Sequence, residues 1–478
     1  MRLTRFSGFL LACFALVGTG WCGFFTVRQG SDGNWTLVDP NGQDFFARGV
    51  DHLRYEGFKD AESGRWNYKE ANDAKFGGDR EAWAKETLVR LKDWGFNTFG
   101  SGPSPELLHK GVYHTGFLGI GSFRDETEYR IPPRFPNVFH PDWEGFCDEM
   151  AKSECEASRD DPDLIGYFFG NELQWWGDGT GKEWKFGLFH SAAGLPDGHP
   201  AKQALLEYTG GLTDVSDEVK EGFVRLCAER YFSTVAAAIR KYDPNHLLLG
   251  CRFMGVPDGA ALPAVWEACG KYCDVVSVNV YPHVDLATGE VLNSRLPDAL
   301  RFRDVCRQVS AWAGRPLFIS EWSFLATDAG LPCSVSSGTR YATQVERARA
   351  VATFLRELDE CPFIVGTDFF MWVDEPAGGL ADGAVGENGN YGLVNDRGEP
   401  YRALVDAFRC AGTYDDLNGA KWTADDYWNT SNRTSVAVSV DVSRSEAEVS
   451  SRVLKTWCFS SVANVCSLPF RGLMLMFR

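Results

Sequence analysis

Two glutamates in this chain stand where a reaction would need them. Leu164-Ile-Gly-Tyr-Phe-Phe169 runs through Gly170 into Asn171-Glu172, and Pro316-Leu-Phe-Ile-Ser320 runs into Glu321-Trp322. Each apolar run reads as a buried strand, and each glutamate sits at its C-terminal end. A carboxylate at the edge of a buried element is costly unless something pairs with it, so two at matching positions suggest a shared task. Two carboxylic acids on one cleft can split an acetal. One gives a proton to the leaving oxygen while the other attacks the anomeric carbon. The structural alternative for each is a strand end held in a salt bridge.

A scaffold must bring these residues together across 149 positions of sequence. Phe24 to Val27, Trp35 to Val38, the turn Asp39-Pro-Asn-Gly42 and Phe45 to Val50 predict an N-terminal β-hairpin. Helix and strand patterns alternate after it. Glu81–Trp94 leads to Phe96–Phe99, Pro105–Lys110 to Val112–Phe117, and Trp143–Ser158 to Leu164–Phe169. Glu218–Tyr242 then leads to Leu247–Gly250, Ala261–Cys269 to Val275–Val280, Pro297–Ala313 to Leu317–Ser320, and Gln344–Glu360 to Phe363–Phe370. Counting Phe45–Val50 as the first strand gives eight, with Tyr401–Cys410 as a closing helix. Regular alternation implies parallel strands, and eight of them predict a (β/α)₈ TIM barrel, with chemistry at the C-terminal strand ends. A doubly wound open sheet is the rival, but no Gly-rich nucleotide loop follows the first strand.

The 478 residues are 44% hydrophobic and 24% charged, enough for one large globular domain. A formal net charge of −17 excludes the basic surface that nucleic acid or anionic membranes demand. Arg2 and Arg5 precede an apolar run from Phe6 to Val17 and the small residues Gly18-Thr-Gly20. Residues 1–20 therefore read as a signal peptide for a secreted or periplasmic protein, too short to span a bilayer. Residues 24–410 then form the catalytic barrel, and 411–478 a polar tail that is either a small β appendage or disordered. Of 14 cysteines, Cys227, Cys251 and Cys306 lie in apparent strands and helices, where small buried thiols are expected. Cys269 and Cys273 are four apart, and Cys458 and Cys466 are close enough in sequence to pair. No Cys/His cluster has zinc spacing, so neither metal nor cofactor is expected. No Gly-x-Ser-x-Gly elbow or His-Glu-x-x-His helix is present.

A fourth-strand Asn171-Glu172 and a seventh-strand Ser320-Glu321-Trp322 in an eightfold barrel resemble the clan A retaining glycoside hydrolases. The segments Trp35-Thr-Leu-Val-Asp-Pro-Asn-Gly42, Tyr167-Phe-Phe-Gly-Asn-Glu-Leu173, Pro200-Ala-Lys-Gln-Ala-Leu205 and Asp243-Pro-Asn-His246 are similar to agarase-like members. The resemblance covers residues 24 to 410 and implies that Glu172 is the acid/base and Glu321 the nucleophile. Asn171 is then placed for the sugar 2-hydroxyl, and Tyr281 for holding Glu321 ionised and aimed. Trp372 is expected to stack under the sugar. His52, Asn97, Arg252, His283, Trp175 and Trp322 complete the expected substrate contacts. Asp374 and Glu375 are rival carboxylates near the end of the eighth strand.

The expected reaction is double displacement at a β-glycosidic bond of a poly- or oligosaccharide, an agar-like galactan first. Other sugars of the same clan (β-galactosides, mannans, glucans) are the nearer alternative, and a non-catalytic glycan-binding barrel the more distant one. The oligomeric state leaves no trace in the sequence.

Overall fold

A computed structural model describes residues 23–411, apart from 125, 178–183, 258, 261, 335–336 and 382–385. The expected signal peptide, the tail from residue 412, and Cys458 with Cys466 lie outside the described residues.

Nine strands pair in parallel, in the order Leu247–Gly250, Leu164–Phe169, Tyr113–Leu118, Thr98–Phe99, Ala47–Val50, Ile364–Phe369, Leu317–Trp322, Val276–Asn279 and Phe253–Met254. The first and last of these are consecutive in the chain, with only Cys251 and Arg252 between them. The sheet therefore curls back on itself. Asp274 N and Val275 N both donate to Leu248 O, at 3.0 and 3.2 Å, which ties the first strand of the order to the start of the Val276–Asn279 strand. This is an α/β barrel, and an open doubly wound sheet is excluded by that curl.

The helices lie where the 3.6-residue pattern puts them, with shifted ends. Arg80–Asp93, Trp143–Cys155, Asp217–Tyr242, Pro263–Tyr272, Gln344–Asp359 and Arg402–Ala411 are all helical. The expected helix over Pro105–Lys110 is only a single 3₁₀ turn, Pro105–Leu107. Leu108 takes an extended conformation there, and six residues cannot repay the cost of helix nucleation. The helix expected from Pro297 begins at Phe302 instead. The long insertion after Glu172 carries two helices of its own, Gly187–Gly194 and Pro200–Thr209.

Two apolar layers hold the barrel. The larger lies between strands and helices. The smaller fills the interior with Ala47, Ile165, Phe168, Leu247, Leu249, Val275, Phe318 and Val365. Phe25 and Leu37 join that interior cluster from an antiparallel sheet of Thr26–Gln29, Trp35–Val38 and Asp44–Phe45, which floors the N-terminal end. Along several strands the residues then turn from apolar to polar: Ala47 to Asp51, Leu249 to Arg252, Val275 to Asn279, Phe318 to Glu321, Val365 to Asp368. An apolar floor under a polar mouth confines charge to the C-terminal strand ends, where side chains can be solvated or paired. Nine cysteines among the described residues, from Cys147 to Cys361, are free and buried.

Candidate active site

Glu172 reaches the mouth because the chain turns sharply after Phe169. Gly170 has φ 119°, which is closed to residues with a side chain, and a Cβ there would lie 2.8 Å from the Tyr231 hydroxyl. Three further residues at the mouth, His52, Glu172 and Arg252, take left-handed backbone at φ 54°, 53° and 51°. Each such residue costs on the order of 1–3 kcal/mol, and such strain gathers at functional sites. Glu172 N donates to Arg252 O at 3.0 Å, so two of the strained residues hold each other.

Glu321 is only 7% exposed and is gripped on both oxygens. Arg252 Nη2 donates to its Oε1 at 2.7 Å, and the Tyr281 hydroxyl donates to its Oε2 at 2.9 Å. An arginine and a phenol donor both favour the ionised carboxylate. Glu172 has the opposite surroundings. Burial first, and the charge of Glu321 second, raise its pKa from the ordinary 4.5 to about 7. Two donors grip one carboxyl while burial and its neighbour's charge raise the pKa of the other, an asymmetry that suits a nucleophile and an acid.

Asn279 joins the two sides. Its Nδ2 donates to Glu172 Oε1 at 3.1 Å and to Asn171 Oδ1 at 3.0 Å, while its Oδ1 accepts from Ser320 Oγ at 2.8 Å. Asn171 itself is exposed, and its Nδ2 has no protein partner among the described residues. That leaves it available to a sugar hydroxyl.

Arg252, expected to meet substrate, instead spends its Nη2 on Glu321, on Ser320 O at 2.9 Å and on Asp51 Oδ2 at 3.2 Å. His52 lies at the mouth against Phe58 and Phe370, with ring centroids 5.7 and 5.5 Å away. Burial, then Arg54 and Arg252, lower its pKa to about 3, so the ring is neutral, and its Nδ1 has no partner among the described residues. His283 stands farther out, on the hairpin His283–Val284 with Val291–Leu292, where its Nδ1 meets Thr339 Oγ1 at 3.2 Å.

Three expected contacts are core instead, and a fourth, Asn97, holds backbone. Trp372 is fully buried, stacked on Trp94 at 5.2 Å, with Nε1 donating to the Tyr68 hydroxyl at 2.9 Å. With one face and its N–H spent, it cannot lie under a sugar. Trp175 is packed against Phe232 and Phe253, and Trp322 among Phe324, Phe354 and Phe369. Asn97 accepts from Arg48 N and donates to Phe46 O, pinning the start of its strand. Trp372→Ala is therefore expected to destabilise the fold by about 3–5 kcal/mol. A urea midpoint that stays put while KM rises would return it to the cleft.

The aromatics that do face the mouth are Phe370, which packs edge-on against Tyr281 and Tyr391, and Phe117. Phe117 is 40% exposed, with the Arg252 guanidinium 5.9 Å from its ring. Phe117 lies within the Tyr113–Leu118 strand and Phe370 just past Ile364–Phe369, and neither run marks which of its aromatics faces the cleft. The signal for Asn279 was a polar residue closing an apolar strand. The rival acids are occupied: Asp374 accepts from Asn390 Nδ2, Gly392 N and the Tyr401 hydroxyl, and Glu375 accepts from Gly389 N at 2.5 Å. Among the described residues, His109, Asp161 and Asp163 form one group with ligand atoms close enough to hold an ion. They lie at the opposite ends of the strands from Glu172.

No family model matches the chain. Beta-agarase B of Vibrio sp. (strain JT0107) is 28% identical over 487 aligned residues, which cover 82% of this chain and 48% of the relative. Beta-agarase A of the same strain is 26% identical, covering 80% of this chain and 45% of the relative. The chain thus spans about half the length of these curated relatives. Among solved structures, an agarase, AgWH50C, superposes with a TM-score of 0.68 at 23% identity, covering 82% of this chain and 64% of that one. The structure titled BpGH50 gives 0.65 at 22%, covering 85% and 84%. At these identities the structural likeness is one of fold, and it agrees with the α/β barrel.

Proposed function

We propose that this chain is a clan A retaining glycoside hydrolase that cleaves β-glycosidic bonds of an agar-like galactan. Glu172 acts as acid and then base, and Glu321 as nucleophile. On this reading the barrel is a (β/α)₈ one, with Leu247–Gly250 and Phe253–Met254 counted as a single interrupted strand, and residues 24–410 are its catalytic domain. The protein is exported, by the reading of residues 1–20.

The observation that carries the proposal is the unequal treatment of two glutamates on one cleft. Glu321 is gripped between Arg252 and Tyr281, while the pKa of Glu172 is raised to about 7, by burial first and the charge of Glu321 second. In the first step the Glu172 proton passes to the leaving oxygen as a Glu321 oxygen bonds the anomeric carbon. The ester removes the charge that kept Glu172 protonated, so Glu172 can then take a proton from the attacking water. The agarase names of the relatives direct the substrate towards agar. The test is the purified chain on agarose, with the anomer of the first product followed by proton NMR. A β product supports double displacement, and an initial α product overturns it. Parallel assays on β-galactosides, mannans and glucans identify the sugar if agarose is untouched.

A further inference from the structure

Beneath Glu321 the barrel holds two more carboxyls that the proposed reaction does not use. Asp51 follows Val50 of the Ala47–Val50 strand, and Asp368 belongs to the neighbouring Ile364–Phe369 strand, paired laterally with Gly49. Both aspartates are fully buried. Room for them comes from missing side chains. A Cβ on Gly49 would fall 1.9 Å from Asp368 Oδ1, and one on Gly100 would fall 2.4 Å from Asp51 Oδ1 and 3.0 Å from Asp368 Oδ2. Asp51 Oδ1 and Asp368 Oδ2 thus both face the space above Gly100.

Their partners are unequal. Asp51 accepts from Ser101 N at 2.5 Å and from Arg252 Nη2 at 3.2 Å. Neither oxygen of Asp368 has a hydrogen-bond partner among the described residues. The charges that face the pair are Arg252 from the strand break, Glu321 from the next strand and Arg54 from the loop after Asp51. Arg252 already serves Glu321. An ionised Asp368 would be a buried, unbonded anion beside two others, the costliest state a carboxylate can occupy.

We propose that Asp368 carries a proton in the resting protein and shares it with Asp51, so that the two act as a one-proton pair that positions the charge of Arg252 under Glu321. This rests on the nucleophile role proposed above for Glu321. When Glu321 becomes an ester, Arg252 loses one carboxylate partner and Asp51, held anionic by the Asp368 hydroxyl, remains as the other. The shared proton moves only between the two aspartates and is not consumed. Burial raises both groups, Asp51 to about 7, in the sense the pairing needs.

The test is a carboxyl titration of the protein labelled with ¹³C at aspartate side chains. One buried aspartate should keep the shift of a protonated acid at neutral pH, and that resonance should vanish in Asp368→Asn. Asp368→Leu, which loses the donor, should lower kcat/KM by about thirtyfold, whereas Asp368→Asn, whose amide still donates to Asp51, should lose only about threefold. The proposal is overturned if every aspartate is ionised at neutral pH, or if Asn is as damaging as Leu. If neither variant folds, the wild-type titration alone decides. It needs no substrate, so failure to cleave any glycan would sink the functional reading and leave the pair standing or falling by itself.

Discussion

Glu321→Gln is expected to reduce turnover by roughly 10⁴-fold or more while substrate still binds. The amide keeps the volume and can still accept from Tyr281, but it has no charge with which to attack and cannot form the ester. The same change withdraws the second-largest cause of the raised pKa of Glu172, so Glu172 should titrate lower in the variant. Calorimetry with an oligosaccharide gives binding, and product release gives turnover. Turnover within tenfold of the parent would remove Glu321 from the nucleophile role. A glycan-binding barrel without catalysis would show no turnover to lose in either protein.

Glu172→Ala should cost nearly as much on a poor leaving group and far less on an activated aryl glycoside, which needs no proton. Azide should then restore roughly tenfold or more of the lost rate by attacking the glycosyl-enzyme in place of activated water. The adduct should be the β-glycosyl azide, and an α-azide would overturn the double displacement. In the parent protein, the acid form of Glu172 is needed for the first step, so kcat/KM should fall as pH rises past about 7. Stability should move the same way. The folded pKa lies above the unfolded value of 4.5, so the folded state binds the proton more tightly. Its contribution is fully present below about pH 4.5 and is lost as pH rises through 7, by about 3 kcal/mol. Glu172→Ala should flatten that part of the dependence of Tm on pH.

The order of strands, the type of each long helix and the two strand-end glutamates were legible in the one-dimensional pattern. A six-residue apolar run such as Leu164–Phe169, too short for a helix and closed by Gly170, fits a strand buried on both faces, and a glutamate that ends one is conspicuous. Tyr281 was legible for the same reason, as a hydroxyl at the end of an apolar strand. The places of the tryptophans were not legible, because sequence reports that a side chain is large and apolar but not whether its faces are already covered. Trp372 is two residues past Phe370, yet one packs on Trp94 and the other against Tyr281 and Tyr391.

Arg252 was read as a ligand for substrate because an arginine at a strand end shows its charge and not its partner. That partner, Glu321, comes from another strand 69 residues away. Nothing local to Asp51 or Asp368 marks either as an acid buried near another acid. Residue types and spacing determined the barrel and nominated its carboxylates. Which carboxyl holds a charge and which a proton is decided by neighbours from distant strands, because electrostatic interaction depends on distance in space and on burial, neither of which a sequence contains.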